Sequence, residues 1–166
     1  MSRWVPVYIG VGSNLDEPLS QVRRALHALT SLPATAAWQA SRCYVTQPVG
    51  PVQSQPDFFN AVAAALTTLS MDDFFTALRQ LETALGRQRD GTRWGPRHID
   101  LDLLVYATER RDTPDLCVPH PAIVERAFVL YPLCDVAPEL WVPGAGRVSQ
   151  LKARVDGSGV RAAGPL

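Results

Sequence analysis

The chain of 166 residues has almost no lysine: Lys152 is the only one, and the remaining strong bases are arginines. A Gly-rich phosphate loop ending in Gly-Lys-Ser/Thr is therefore excluded, as is a Schiff-base lysine outside the C-terminal tail. Cysteine is scarce as well. Cys43, Cys117 and Cys134 are odd in number and form no close-spaced pair, which argues against a disulfide framework or a Cys-rich zinc centre and points to a reducing cytoplasm. Net charge is missing too, because 16 basic and 16 acidic residues cancel. The molecule has no overall attraction to nucleic acid or acidic membranes, so any anion site must be local. No apolar run is long enough to span a bilayer, and the N-terminal stretch reads as a strand rather than a leader.

What is present suits one domain over residues 1–166, since 46% hydrophobic residues can bury a real core. From Trp4 to Gly12 apolar and β-branched residues alternate at strand period. Pro18 opens a helix whose Leu19, Val22, Leu26 and Leu29 recur at helical spacing, and Pro33 stops it. A second strand is expected from about Trp38 to Thr46. A proline-rich loop follows over Gln47–Pro56, then a third strand from Phe58 to about Thr67. Ser70 with Asp72 and Asp73 caps a second helix, and Gly86 ends it. A strand from His98 to Tyr106, a short element near Leu116, a turn at Val118-Pro119-His120-Pro121 and a helix from Glu125 to Val136 complete the pattern. The Gly/Ala-rich stretch 155–166 reads as a mobile tail. This order predicts an α+β domain with a largely antiparallel sheet and helices packed on it.

The chemistry concentrates around the strand beginning at His98. Alternation puts Asp100 and Asp102 on one face, with Ile99, Leu101, Leu103 and Val105 turned into the core. The two carboxylates are then roughly 7 Å apart at Cα on a rigid element. Like charges so placed disfavour each other's ionisation unless a cation sits between them, and all-oxygen ligands of this kind suit magnesium. A solvated edge strand is the competing explanation. Arg87, Arg89, Arg93 and Arg97 lie just upstream, and guanidinium forks match phosphate oxygens. Trp94 among these charges fits a loop that closes on phosphates and keeps water out, against a merely solvated loop. Phe58 and Asn60 share a strand face, which suits either core packing or a stacking ring beside an amide that reads a flat heterocycle. His120 stands alone between two prolines.

The run Arg93-Trp94-Gly95-Pro96-Arg97-His98-Ile99-Asp100-Leu101-Asp102-Leu103-Leu104 resembles the signature of hydroxymethyldihydropterin pyrophosphokinases. So do Tyr8-Ile9-Gly10-Val11-Gly12-Ser13-Asn14-Leu15, Pro56-Asp57-Phe58-Phe59-Asn60, Val118-Pro119-His120-Pro121 and Arg126-Ala127-Phe128. This resemblance implies a ferredoxin-like core. It also implies transfer of the β,γ-pyrophosphoryl group of ATP to the hydroxymethyl group of 6-hydroxymethyl-7,8-dihydropterin, in folate biosynthesis. Residue by residue, it makes Asp100 and Asp102 ligands of magnesium, in two ions. Arg87, Arg97 and Asp100 become catalytic. Glu82, Arg89, Trp94, Arg97, Leu103, His120 and Arg126 are expected at ATP. Thr46, Val49, Phe58, Asn60, Trp94, Asp100 and Phe128 are expected at the pterin. Asp90, Asp115 and Cys117 depart from the family's pattern near the nucleotide. A monomer with only these small-molecule partners is expected. Two rival classes are a metal-dependent phosphohydrolase, using water as nucleophile, and a non-enzymatic RNA-binding module on the same kind of sheet.

Overall fold

The computed structural model describes residues 3–15, 17–47, 56–86 and 99–163. Strand β1 (Val5–Ser13), helix α1 (Pro18–Leu29), strands β2 (Thr35–Ala40), β3 (Tyr44–Thr46) and β4 (Phe58–Thr67), helix α2 (Met71–Ala84) and strand β5 (Asp100–Tyr106) form the N-terminal two thirds. After them come the hairpin β6 (Arg111–Asp112) and β7 (Cys117–Val118), a 3-10 turn at Ile123–Glu125, and helix α3 (Ala127–Val136). The hairpin β8 (Trp141–Val142) and β9 (Gly146–Arg147), helix α4 (Val148–Arg154) and strand β10 (Val160–Ala162) end the chain's regular elements. The main sheet runs β10-β3-β4-β1-β5, with β2 pairing the far half of β4, and its ladders are antiparallel. The β-α-β-β-α-β order with β1 and β4 at the centre is the expected α+β, ferredoxin-like arrangement.

Two cores flank this sheet. On one face α1 and α2 bury Val22, Ala25, Leu29, Phe74 and Leu78 against Val7, Ile9, Val11, Leu101 and Leu103. On the other face α3 and α4 bury Leu130, Leu133, Val148 and Leu151 against Val62, Leu104 and Val105. The helix signals hold locally. Pro18 is the first residue of α1, the Ser70 hydroxyl accepts the Asp73 N–H at 3.1 Å, and Gly86 adopts φ 97° just past α2. Among the described residues no helix is long and apolar enough to cross a membrane.

Four expectations need correction. The strand placed at Trp38–Thr46 is two strands. Ser41 separates them because its hydroxyl accepts the Val62 N–H at 2.8 Å, replacing a ladder bond with a side-chain one. Val105 belongs to the second core, not to the face of Leu101 and Leu103. The β1–β5 register slips between Tyr8 and Ile9, so Leu104 is an extra residue and reverses the alternation after it. The last helix begins only at Ala127, because Arg126 is extended (φ −113°, ψ 103°) after the 3-10 turn. Finally, part of the stretch assigned to a mobile tail is strand β10, which pairs Val160 with Thr46 and Ala162 with Tyr44. The free edge of β3 supplies the ladder bonds that Gly/Ala composition could not announce.

One polar cluster ties α3 to β3. Asp135 receives hydrogen bonds from the Arg42 guanidinium at 3.0 and 3.2 Å and from the Tyr44 hydroxyl at 2.9 Å. Tyr44 in turn packs edge-on against Tyr131, at 6.1 Å between ring centroids. Burial works to raise the Asp135 carboxyl, but the Arg42 and Tyr44 hydrogen bonds outweigh it and hold it below the ordinary carboxylate range. A depressed carboxyl contributes stability above its unfolded pKa, and loses it as pH falls through the folded value. Asp135→Ala should therefore cost about 2 kcal/mol at neutral pH, because the buried Tyr44 hydroxyl loses its acceptor. Thermal melts should show that penalty shrinking as the solution is made strongly acidic.

Candidate active site

The antiparallel register brings one row of residues into line across the sheet: Asp100 opposite Gly12, Gly12 opposite Asn60, and Asn60 opposite Tyr44. The next row sets Asp102 opposite Gly10, and Gly10 opposite Val62. Direct partners in a sheet share a face, so both aspartates look across bare glycine backbone. At Gly10 and Gly12 the strand that carries Ile9 and Val11 into the first core thus presents nothing beyond Cα on its other side, whereas Tyr8 before them packs on the second core. Asn60 needs this at Gly12, where an added Cβ would lie 2.7 Å from its amide oxygen.

Above this floor is a cavity of about 390 Å³, lined among others by Gly10, Gly12, Thr46, Phe58, Asn60, Asp100, Asp102, His120, Arg126 and Phe128. That volume suits a small flat ligand with part of a nucleotide. The Thr46 hydroxyl is buried and has no hydrogen-bond partner, so a polar ligand atom would relieve a real cost. Apolar lining also comes from Val62, Leu104 and Val129.

The electrostatics follow from crowding. Asp102 is exposed, yet it stands in the concavity, where loss of surrounding water and then the Asp100 charge raise its pKa. His120 is shifted the other way: desolvation lowers its pKa, with the Asp102 charge opposing and Arg126 adding to the fall. The neutral ring is thus favoured. Its Nδ1 accepts the Ala122 N–H at 3.2 Å, which leaves the proton on Nε2. His120 is held to the strand by its own N–H, which donates to the Leu104 carbonyl at 2.9 Å. Arg126 places its guanidinium over the Phe128 ring, 5.5 Å from the centroid, so the residues expected at ATP and at the pterin touch each other here.

Of the residues expected from sequence, Thr46, Phe58, Asn60, Asp100, Asp102, His120, Arg126 and Phe128 come together in this one cavity. Leu103 does not: its side chain is in the first core, and Leu104 lines the cavity in its place. Glu82 does not either. Its side chain is buried in α2, and its carboxylate accepts the Leu101 N–H at 2.9 Å. Asp115 and Cys117 are away from the cavity lining, with the Cys117 thiol against Asp112 at 3.4 Å. Arg87, Arg89, Asp90, Arg93, Trp94, Arg97 and Val49 lie outside the described residues. Sequence reasoning missed Gly10 and Gly12 as a floor. Their signal was present: two glycines spaced by two residues, alternating with Ile9 and Val11.

Comparison with known proteins gives the family and the fold. Residues 8–138 match the family model described as 7,8-dihydro-6-hydroxymethylpterin-pyrophosphokinase. A 2-amino-4-hydroxy-6-hydroxymethyldihydropteridine pyrophosphokinase of Pseudomonas aeruginosa is 44% identical over 93% of this chain and 94% of its own length. The protein of the same name in Bacillus subtilis is 35% identical over 93% of this chain and 87% of its own. Among solved structures, Plasmodium falciparum HPPK-DHPS with pteroate superposes with a TM-score of 0.71 at 10% identity. It covers 93% of this chain, which spans only 45% of that longer one. That likeness speaks for the fold, and the sequence matches speak for the family. The chain belongs to the 7,8-dihydro-6-hydroxymethylpterin-pyrophosphokinase family.

Proposed function

We propose that this cavity performs the family's reaction, with Asp100 and Asp102 holding magnesium beside a pterin slot formed by Phe58, Asn60, Thr46 and Phe128. The enzyme moves a pyrophosphoryl group from ATP to hydroxymethyldihydropterin, a step of folate biosynthesis. The carrying observation is the alignment of Asp100, Gly12 and Asn60 in one cross-strand row. It faces Asp100, across a strand with no side chain at Gly12, toward an amide that can read a heterocycle, with Asp102 in the next row. Neither rival class accounts for that row: a phosphohydrolase needs no heterocycle reader, and RNA binding needs no paired acids.

The donor set fits a divalent cation. Two carboxylates stand across the ladder from glycine backbone, and the Asp102 pKa is raised by loss of surrounding water and by Asp100, a repulsion that a bound cation removes. Magnesium, when bound with ATP, screens the phosphate charge. The protein's own groups do the rest. Phe58 and Phe128 stack the pterin, and the Asn60 amide and Thr46 hydroxyl take its hydrogen-bonding edge. Val49 adds a backbone contact. His120 donates its Nε2–H to a phosphate oxygen, as a neutral group that does not compete for the cation. Arg126 spans the two substrates from its place on Phe128. Arg87 and Arg97 stabilise charge on the migrating group, while Arg89 and Trp94 close over it and exclude water. Asp100, next to the acceptor, takes the proton of the hydroxymethyl group. Positioning and electrostatics supply most of the rate. Three free cysteines are in keeping with a cytoplasmic setting, and sedimentation of the purified protein would test the monomer.

The purified protein, given magnesium, ATP and hydroxymethyldihydropterin, should release AMP and the pterin diphosphate in equal amounts. ADP as product would overturn this reading. AMP formed at the same rate without the pterin would favour the hydrolase instead.

A further inference from the structure

Glu82 is 2% exposed and sits near the C-terminal end of α2, on the side of the sheet opposite the cavity. One carboxylate oxygen accepts the backbone N–H of Leu101 at 2.9 Å, and the other lies 3.3 Å from the Arg79 guanidinium. Leu101 is the residue between Asp100 and Asp102, and β5 is the last strand of the sheet. Its inner neighbour β1 pairs Val11 with Leu101, but the Leu101 N–H is turned to the open edge and goes to Glu82. A buried carboxylate is expensive, and one near two further acids more so, unless its hydrogen bonds are worth keeping. A leucine would fill the same place between helix and strand at lower cost.

We infer that Glu82 is a positioning residue: it ties α2 to the edge amide between the two acids and so sets the direction in which Asp100 and Asp102 face the cavity. This inference rests on the pyrophosphokinase reading. The β5 edge has special need of such a tie. On the cavity face the ladder partners of its acids on β1 are the glycines Gly12 and Gly10, which have no side chain to brace the strand. A few residues on, the extra Leu104 interrupts the register. A strand free to twist there would change the spacing of both carboxylates at once.

The test compares Glu82→Gln, which keeps an acceptor at the same reach, with Glu82→Asp, which keeps the charge but falls short of the Leu101 N–H. Turnover, ATP KM, the magnesium needed for half activity and the thermal midpoint are measured for each. Manganese affinity of the ATP complex, read by electron paramagnetic resonance, needs no turnover. E82Q should stay within about threefold of wild type. E82D should lose about 30-fold in kcat and bind the metal about tenfold more weakly, with ATP KM nearly unchanged. The opposite ranking, or a rise confined to ATP KM, would overturn the inference, because it would mean that charge or direct nucleotide contact is what matters. So would an E82D with wild-type metal affinity. Wild type failing to form AMP would count against the functional reading alone, since the manganese arm still judges Glu82.

Discussion

Asp102→Asn should abolish pyrophosphoryl transfer, by about a thousandfold or more, equivalent to at least ~4 kcal/mol of transition-state stabilisation, while the protein stays folded. The second half of that expectation separates it from simple damage. In the folded protein the Asp102 pKa is raised, first by loss of surrounding water in the concavity and second by the Asp100 charge. A carboxyl whose folded pKa lies above its unfolded one is stabilised in its neutral form. Its charge works against folding at pH 7, and the penalty fades as pH falls through the folded value. The neutral asparagine should therefore leave the thermal midpoint of the ligand-free protein unchanged or higher, with the difference closing toward acid pH. A lost activity with a lowered midpoint at neutral pH would contradict the account. On the proposed function, the wild-type pair is kept for a cation, at some expense to the empty protein.

Gly12→Ala is expected to be almost as harmful to one substrate and harmless to the other. The new methyl would stand 2.7 Å from the Asn60 amide oxygen. What it meets is the far end of a side chain, so the sheet can survive by letting the amide swing aside. Asn60 would then no longer meet the heterocycle squarely. A displacement near 1 Å in a positioning group costs about a hundredfold, so kcat/KM for the pterin should fall by roughly that factor. ATP KM should move little, and the thermal midpoint should remain close to wild type. An equal loss for both substrates would show that Gly12 serves the whole cavity and not the amide.

These expectations draw on different layers of legibility. Helix limits could be read at Pro18, Ser70 and Gly86 because caps and breakers act through adjacent backbone groups. Asp100 with Asp102, and Phe58 with Asn60, could be paired on faces because strand alternation is local. Alternation then failed at Leu104, where one extra residue moved Val105 to the other core. A bulge is decided by the register of two strands far apart in sequence, and no window along one strand contains it. The same limit hid Ser41, which breaks a strand through its bond to Val62, and β10, which exists because β3 has a free edge. Glu82 meets a related limit. Its family position was recognisable, but which backbone amide its carboxylate reaches depends on how α2 lies over β5.

The floor made by Gly10 and Gly12 has a consequence for inhibitors. A compound resting on those two residues would take its contacts from peptide backbone, which no substitution can remove. Substituting either glycine adds bulk, and that bulk stands in the same row as Asp100 and Asn60 or as Asp102. Resistance mutations there would exclude the compound only by encroaching on the substrates as well. Compounds built outward from the glycine floor, rather than onto the replaceable side chains of the rim, should leave a resistant enzyme few ways to remain active.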